Sequence, residues 1–166
     1  MNVLWSYFWP CFAAGLLVGG PIGTIAFRRR ARRNVTLAIG VGLSLALAAL
    51  WHGPLGAADR LSVRIEHDAR VVLDHYEMTR ITEHLHHGPL TRRLILAGPA
   101  DDFQTIELVR LMSELPGVSS AQWTDEPAGL PLIAEAMAVA VAGFLFGLLL
   151  AYLVELHRRH NAQWTW

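Results

Sequence analysis

Histidines are the residues of this chain best suited by their chemistry to bind a metal ion or to sense pH. His84, His86 and His87 form a cluster, and His67 and His75 precede it. A neutral imidazole is the commonest protein ligand for zinc and copper, and its charge changes near physiological pH. His84 and His87 would share a face if a helix extended over them, but no nearby cysteine or pair of acids completes a ligand set. We therefore predict no metal site and no cofactor, with His84 and His87 as the residues that a metal would use.

An acid within an apolar stretch is the second feature with chemical potential. Glu135 is the single charge in Ala128–Val154. An ionisable group inside a bilayer is costly and is usually retained for function, so Glu135 is a candidate proton or partner site. It lies close to the start of the stretch, however, and we interpret it as an interfacial residue. Asp101 and Asp102 are interpreted as helix caps rather than as ligands.

The composition places the chain in a membrane rather than in water. Of its 166 residues 53% are hydrophobic and 17% charged, and the mean hydropathy is +0.33. Leu4–Phe27, Asn34–Ala58 and Ala128–Val154 each exceed the roughly 20 residues that cross a hydrocarbon core. An ordinary soluble enzyme is excluded, and so is a nucleic-acid binder driven by net positive charge, because 14 basic and 14 acidic residues cancel. We find no Ser-His-Asp spacing, phosphate-binding glycine loop or haem motif, and we predict a protein that is not an enzyme.

The loop between the first two apolar stretches carries a strong orientation signal. Five of its six residues are arginine, and loops rich in arginine next to a span stay on the cytoplasmic side. The N-terminus and the segment after the second stretch would then lie outside, and the C-terminus inside. Cleavage of the second stretch as a signal sequence is the alternative, but a complete span already precedes it. The arginines of the loop are Arg28, Arg29, Arg30, Arg32 and Arg33.

The predicted organisation is three spans with one extramembrane domain between the second and the third. In chain order it comprises a first span with the Arg-rich loop over 1–33, a second span over 34–58, a periplasmic domain over 59–126, a third span over 127–155 and a cytoplasmic tail over 156–166.

Small residues recur at four-residue spacing in all three spans, which favours close packing of helix backbones. Such stripes do not reveal whether the partner helix belongs to the same chain. The predicted packing residues are Gly15, Gly19 and Gly23 in the first span, Gly40 and Ser44 in the second, and Gly143 and Gly147 in the third.

The domain over 59–126 is predicted to be a small α+β sandwich with the element order β-β-α-β-α-β. Alternation of apolar and polar residues predicts strands, and apolar residues three or four apart predict helices. In chain order the predicted elements are strands over 61–65 and 70–73, a helix with Met78, Ile81 and Leu85 on one face, a strand over 93–97, a helix with Ile106, Val109, Met112 and Leu115 on one face, and a strand over 118–123.

Several of these segments resemble the biopolymer-transport ExbD/TolR family. The stretch from Leu61 to Leu73 is similar to that family's opening hairpin, and Leu94-Ile-Leu-Ala-Gly-Pro-Ala-Asp101 to its central strand. The helix and turn over 106–118, and Asn34-Val-Thr before the second span, are also similar. The resemblance implies a periplasmic domain of a proton-driven complex. The family's span carries a proton-binding Asp where this chain has Gly40, so the proton relay is not carried over.

The segment also resembles the BON domain, a periplasmic or membrane-surface α/β module. Leu94, Leu96 and Gly98, followed by a helix and by Pro116-Gly-Val118, suit that pattern. A BON domain opens with a helix, however, and the alternation over 61–65 predicts a strand.

The sequence thus predicts a multi-pass protein of the bacterial inner membrane that acts as an accessory or scaffold subunit of a larger complex. Its partners would be the lipid bilayer and other integral membrane proteins or further copies of itself, and no nucleic acid. The alternatives are a divergent ExbD/TolR-type component of a proton-driven complex, through Glu135, and a periplasmic metal or pH sensor, through the histidines.

Overall fold

The computed structural model describes residues 3–28, 32–123 and 129–162. They form five helices and three strands in the order α1 (Val3–Arg28), α2 (Arg33–His52), α3 (Ala57–His75), β1 (Thr82–His87), β2 (Leu90–Ala97), α4 (Asp102–Ser113), β3 (Ser120–Gln122) and α5 (Leu132–Ala162).

Helices α1, α2 and α5 are each long and apolar enough to cross a membrane. Large apolar side chains such as Leu17, Ile39 and Leu145 lie exposed on their surfaces, which suits lipid as a solvent and not water. The prediction of three apolar helices of membrane-spanning length is confirmed at this level.

The chain divides into two compact units. One contains Met1–Tyr7 and Gly56–Glu135, and the other contains Phe8–Leu55 and Ala136–Trp166. The first is an α/β domain and the second consists of the membrane-length helices, so each unit is described by itself below.

The domain is built on a three-stranded sheet with the order β1-β2-β3. Strand β1 pairs antiparallel with β2. Strand β3 pairs parallel with β2, because α4 forms a crossover connection between the two strands. Leu85 lies opposite Leu94, and Leu94 lies opposite Ala121, so these three side chains share one face. All three are buried, and they form the centre of the domain core.

The predicted opening hairpin over 61–73 is wrong, since this segment lies within helix α3. Leu61, Ile65, Ala69 and Leu73 recur every four residues and are all buried, whereas Val63 is exposed. A helix and a strand both place residues 61 and 65 on one face, and the alternation over five residues was too short to separate the two periods. The part of the ExbD/TolR resemblance that depended on a hairpin here is therefore lost.

The predicted helix with Met78, Ile81 and Leu85 on one face is also wrong. Residues 82–87 form strand β1, and Gly88 and Pro89 join it to β2. Ile81, which precedes the strand, and Leu85, which lies within it, are both buried in the domain core. A spacing of four residues can therefore place two side chains in the core without a helix. The strand predicted over 93–97 is part of β2, and the last strand is shorter than predicted. The observed order of the domain is α-β-β-α-β and not β-β-α-β-α-β.

Two side chains of α3 cover the outer edge of β1. Glu66 accepts a hydrogen bond from the backbone N–H of Leu85 at 2.9 Å, and Arg70 donates one to the carbonyl of Ile81. An edge strand exposes unpaired backbone groups that favour aggregation, and bonding some of them within the domain reduces this hazard. Arg70 also contacts the Glu83 carboxylate at 2.8 Å.

Candidate functional site

Helices α1 and α5 approach each other through the glycines of α1. A Cβ atom added to Gly15 would collide with the carbonyl oxygen of Ala140, and one added to Gly19 with that of Phe144. At Gly23 the added atom would lie 2.7 Å from the Cβ of Ala151. Since two of the three obstacles are backbone atoms, which cannot rotate away, glycine is required for this contact.

The contact is reciprocal and the two helices run parallel. A Cβ added to Gly143 would meet the carbonyl oxygen of Phe12, and one added to Gly147 would lie 2.7 Å from that of Leu16. The contacting residues advance in the same direction along both helices. The small-residue stripes of the first and third spans thus pack against each other within one chain, a question that the sequence had left open.

Helix α2 packs in the same unit through the stripe that contains Gly40 and Ser44. Gly40, Ser44 and Ala48 are buried, and a Cβ on Gly40 would lie 2.7 Å from the Phe144 ring. The Ser44 hydroxyl donates to the Gly40 carbonyl at 2.9 Å, so its polar group is satisfied inside the helix. A Cβ on Gly42, by contrast, would meet nothing within 4 Å.

Glu135 lies in the first turn of α5 and forms a two-pronged ion pair with Arg92 of β2. Its carboxylate oxygens lie 2.8 Å from Nε and 3.2 Å from Nη2 of Arg92. Both side chains are about one-fifth exposed. The sequence contained no signal for this pairing, because the two residues are 43 positions apart. The ion pair therefore links the sheet to the first turn of α5.

The histidines do not gather into a ligand set. His84 and His87 lie in strand β1 and not on one face of a helix, and the His87 ring lies 3.5 Å from the Glu66 carboxylate. His86 contacts the carbonyl of Pro89 at 3.1 Å. Within 3–28, 32–123 and 129–162, no three His, Cys, Asp or Glu side chains come together as a metal site would require.

Helix α4 is capped by Asp101, buries one face against the core and presents an apolar pair on its outer surface. Asp101 caps the helix by accepting from the N–H of Gln104 at 2.7 Å, as the sequence predicts for one of the two aspartates. Leu108 and Met112 face the core. Phe103 and Ile106 are 73% and 68% exposed, so the predicted buried face is wrong at Ile106, where the helix is rotated away from the sheet. No sequence pattern had marked Phe103.

The arginine-rich ends of α1, α2 and α5 surround Glu155. This carboxylate lies 3.7 Å from Arg28, 3.3 Å from Arg158 and 3.2 Å from Arg159. Arg32 and Arg33 lie at the start of α2, whereas Arg29 and Arg30 fall outside the described residues. Glu155 is almost fully buried among these cations, and it therefore holds together arginines that would otherwise repel one another.

The chain has no match among known protein families, curated proteins or solved structures. Its function is therefore inferred from the geometry of the two units.

Proposed function

We propose that this chain is a non-enzymatic membrane protein, an accessory or scaffold subunit whose α/β domain engages a protein partner. The observation that carries the proposal is the exposed pair Phe103 and Ile106 on α4. The glycine-lined faces of α1 and α5 pack within the chain, whereas two large apolar side chains one helical turn apart offer a surface for another protein. Exposed apolar residues of this kind anchor interfaces when a partner desolvates them.

The proposal includes a location in the bacterial inner membrane. Arginines cluster over 28–33 and again at 158–159, and both clusters would face the cytoplasm. The N-terminus and the α/β domain would then face the periplasm, where the α4 pair would meet its partner.

Partner capture by the full tagged chain in mild detergent tests this function. The double variant Phe103→Ser/Ile106→Ser should retain about tenfold less partner or worse, because truncating an interface anchor costs more than about 1 kcal/mol. Val63→Ser/Val71→Ser is the matched control, since both valines are exposed on α3. Equal retention by the two variants, with unchanged thermal unfolding, would refute the role of α4.

The alternative of a proton-driven ExbD/TolR-type component is less well supported. Its candidate acid, Glu135, is engaged by Arg92, and Gly40 stands where the family's Asp would be and packs against Phe144. The helix over Ala57–His75 instead favours a BON-like domain, which opens with a helix. We propose this second resemblance as the better description of the domain. A metal or pH sensor is the least supported alternative, because His84 and His87 lie on a strand with an irregular register and not on one helix face.

A further inference from the structure

A cavity of about 190 Å³ opens at the arginine-rich end of the membrane-length helices. Residues of all three helices line it, with Arg33 at the start of α2 and Arg159 and Glu155 near the end of α5. Phe27 and Tyr152 form its apolar wall, with their rings in an edge-to-face contact at 5.8 Å. The cavity therefore combines cations with an apolar surface at one end of the helices.

The charge around the cavity favours an anion. Glu155 is shared among three arginines, while Arg33 forms no ion pair within the part of the chain that the structure describes. No side chain caps the N-terminus of α2, so the partial positive charge of that helix end adds to the charge of Arg33. The cations thus outnumber the single carboxylate, and a further negative group would be attracted.

We propose that this cavity binds the phosphate headgroup of an anionic phospholipid. Arg33 and Arg159 hold the phosphate, assisted by the N-terminus of α2, and Phe27, Tyr152 and Leu156 contact the upper part of an acyl chain. A free phosphate ion would use the same cations. The apolar wall and the position at the end of membrane-length helices favour the lipid. This site lies on other elements than the α4 pair, and it rests on the membrane location in the proposed function but not on the proposed protein partner.

Native mass spectrometry of the full chain in mild detergent, with phosphatidylglycerol or phosphatidylcholine added at equal concentration, tests the site. The wild-type chain should retain phosphatidylglycerol in preference to phosphatidylcholine. Each arginine near a membrane surface contributes about fivefold in affinity, so Arg33→Gln should lower retention about fivefold and Arg33→Gln/Arg159→Gln about 25-fold. Arg158→Gln is the matched control, because it removes the same charge one residue from Arg159 without lining the cavity.

Two further arms distinguish a bound lipid from a free phosphate ion and from misfolding of the arginine variants. Leu156→Trp keeps every charge but fills the cavity, and it should lower retention even though no arginine is changed. Glycerol phosphate, which lacks acyl chains, should displace the lipid poorly. An Arg158→Gln effect as large as that of Arg33→Gln would show a diffuse surface charge and overturn the site. Full retention by Leu156→Trp, or competition by glycerol phosphate equal to that of the lipid, would also overturn it.

Discussion

Glu135 is accommodated in the first turn of an apolar helix because Arg92 supplies a matched partner. Two hydrogen bonds join the planar guanidinium to both carboxylate oxygens, and this geometry gives more stabilisation than a single point contact. The pair is part-buried, so removing one member leaves the other without compensation. The residue that the sequence marks as a candidate proton site therefore has a structural explanation.

Glu135→Gln should destabilise the full chain by about 1 kcal/mol, since the charge is lost while the shape is kept. Chemical unfolding in detergent measures the change. Glu107→Gln is the control, because it breaks an exposed ion pair with Arg110 and should cost less. A Glu135→Gln chain that assembles normally with unchanged partners, yet has lost its function, would instead favour the proton-driven alternative.

Burial raises the pKa of the Glu83 carboxyl above its usual range, and the Arg70 guanidinium offsets this only in part. The side chain is 10% exposed and packs between β1 and α3. A raised pKa means that the native state holds the proton more tightly than the unfolded chain does. Glu83 therefore favours the native state below the ordinary glutamate pKa, and this contribution is lost as pH rises through the folded pKa.

Glu83→Gln should accordingly gain stability relative to wild type as the pH rises from about 4 to about 7. Chemical unfolding of the full chain at the two pH values measures the difference. Glu114→Gln, which changes an exposed side chain of the same type, is the matched control. A Glu83→Gln difference that is constant with pH would contradict the assignment.

At the scale of elements, glycine permits α1 and α5 to touch backbone to backbone. Lipid cannot compete for such a contact, because its chains do not fill the grooves between helices as closely. Sequence spacing identified the stripes, but only the fold showed which stripe faces another helix. Gly19 and Gly20 are adjacent, yet a Cβ on Gly19 meets Phe144 and one on Gly20 meets nothing within 4 Å.

Gly19→Ala should therefore destabilise the helices by about 1–3 kcal/mol, because the added methyl group forces two backbones apart. Gly20→Ala is its neighbour control and should cause no loss. The unfolding of each full-length variant in detergent gives the comparison. Equal effects of the two substitutions would mean that α1 and α5 do not pack in this way.

At the scale of the whole molecule, the arrangement of arginines predicts how the chain is oriented. The clusters at 28–33 and 158–159 are both expected in the cytoplasm. The domain between α2 and α5 carries seven arginines and twelve acids over 59–126, and domains of this length cross the membrane regardless of their own charge.

Alkaline phosphatase fusions test this orientation. A fusion after Arg33 should be inactive because the enzyme would remain in the cytoplasm, and a fusion after Asp125 should be active. Comparable expression of both fusions is the control. The reverse pattern of activity would refute the topology, and with it the periplasmic location of the α4 pair.

The sequence by itself determined the membrane-length helices, since apolar stretches of this length follow from composition alone. It also identified β2 in part and a helix cap at Asp101 or Asp102, because these depend on short, local patterns. The tertiary structure decided what depends on distant contacts. Residues 61–73 form part of a helix because burial of the side chains at 61, 65, 69 and 73 stabilises a single helical face. Glu135 pairs with Arg92 across 43 positions, and the glycine stripes of α1 and α5 pack against each other. No local sequence period predicts such contacts, because they join residues that are distant in the chain.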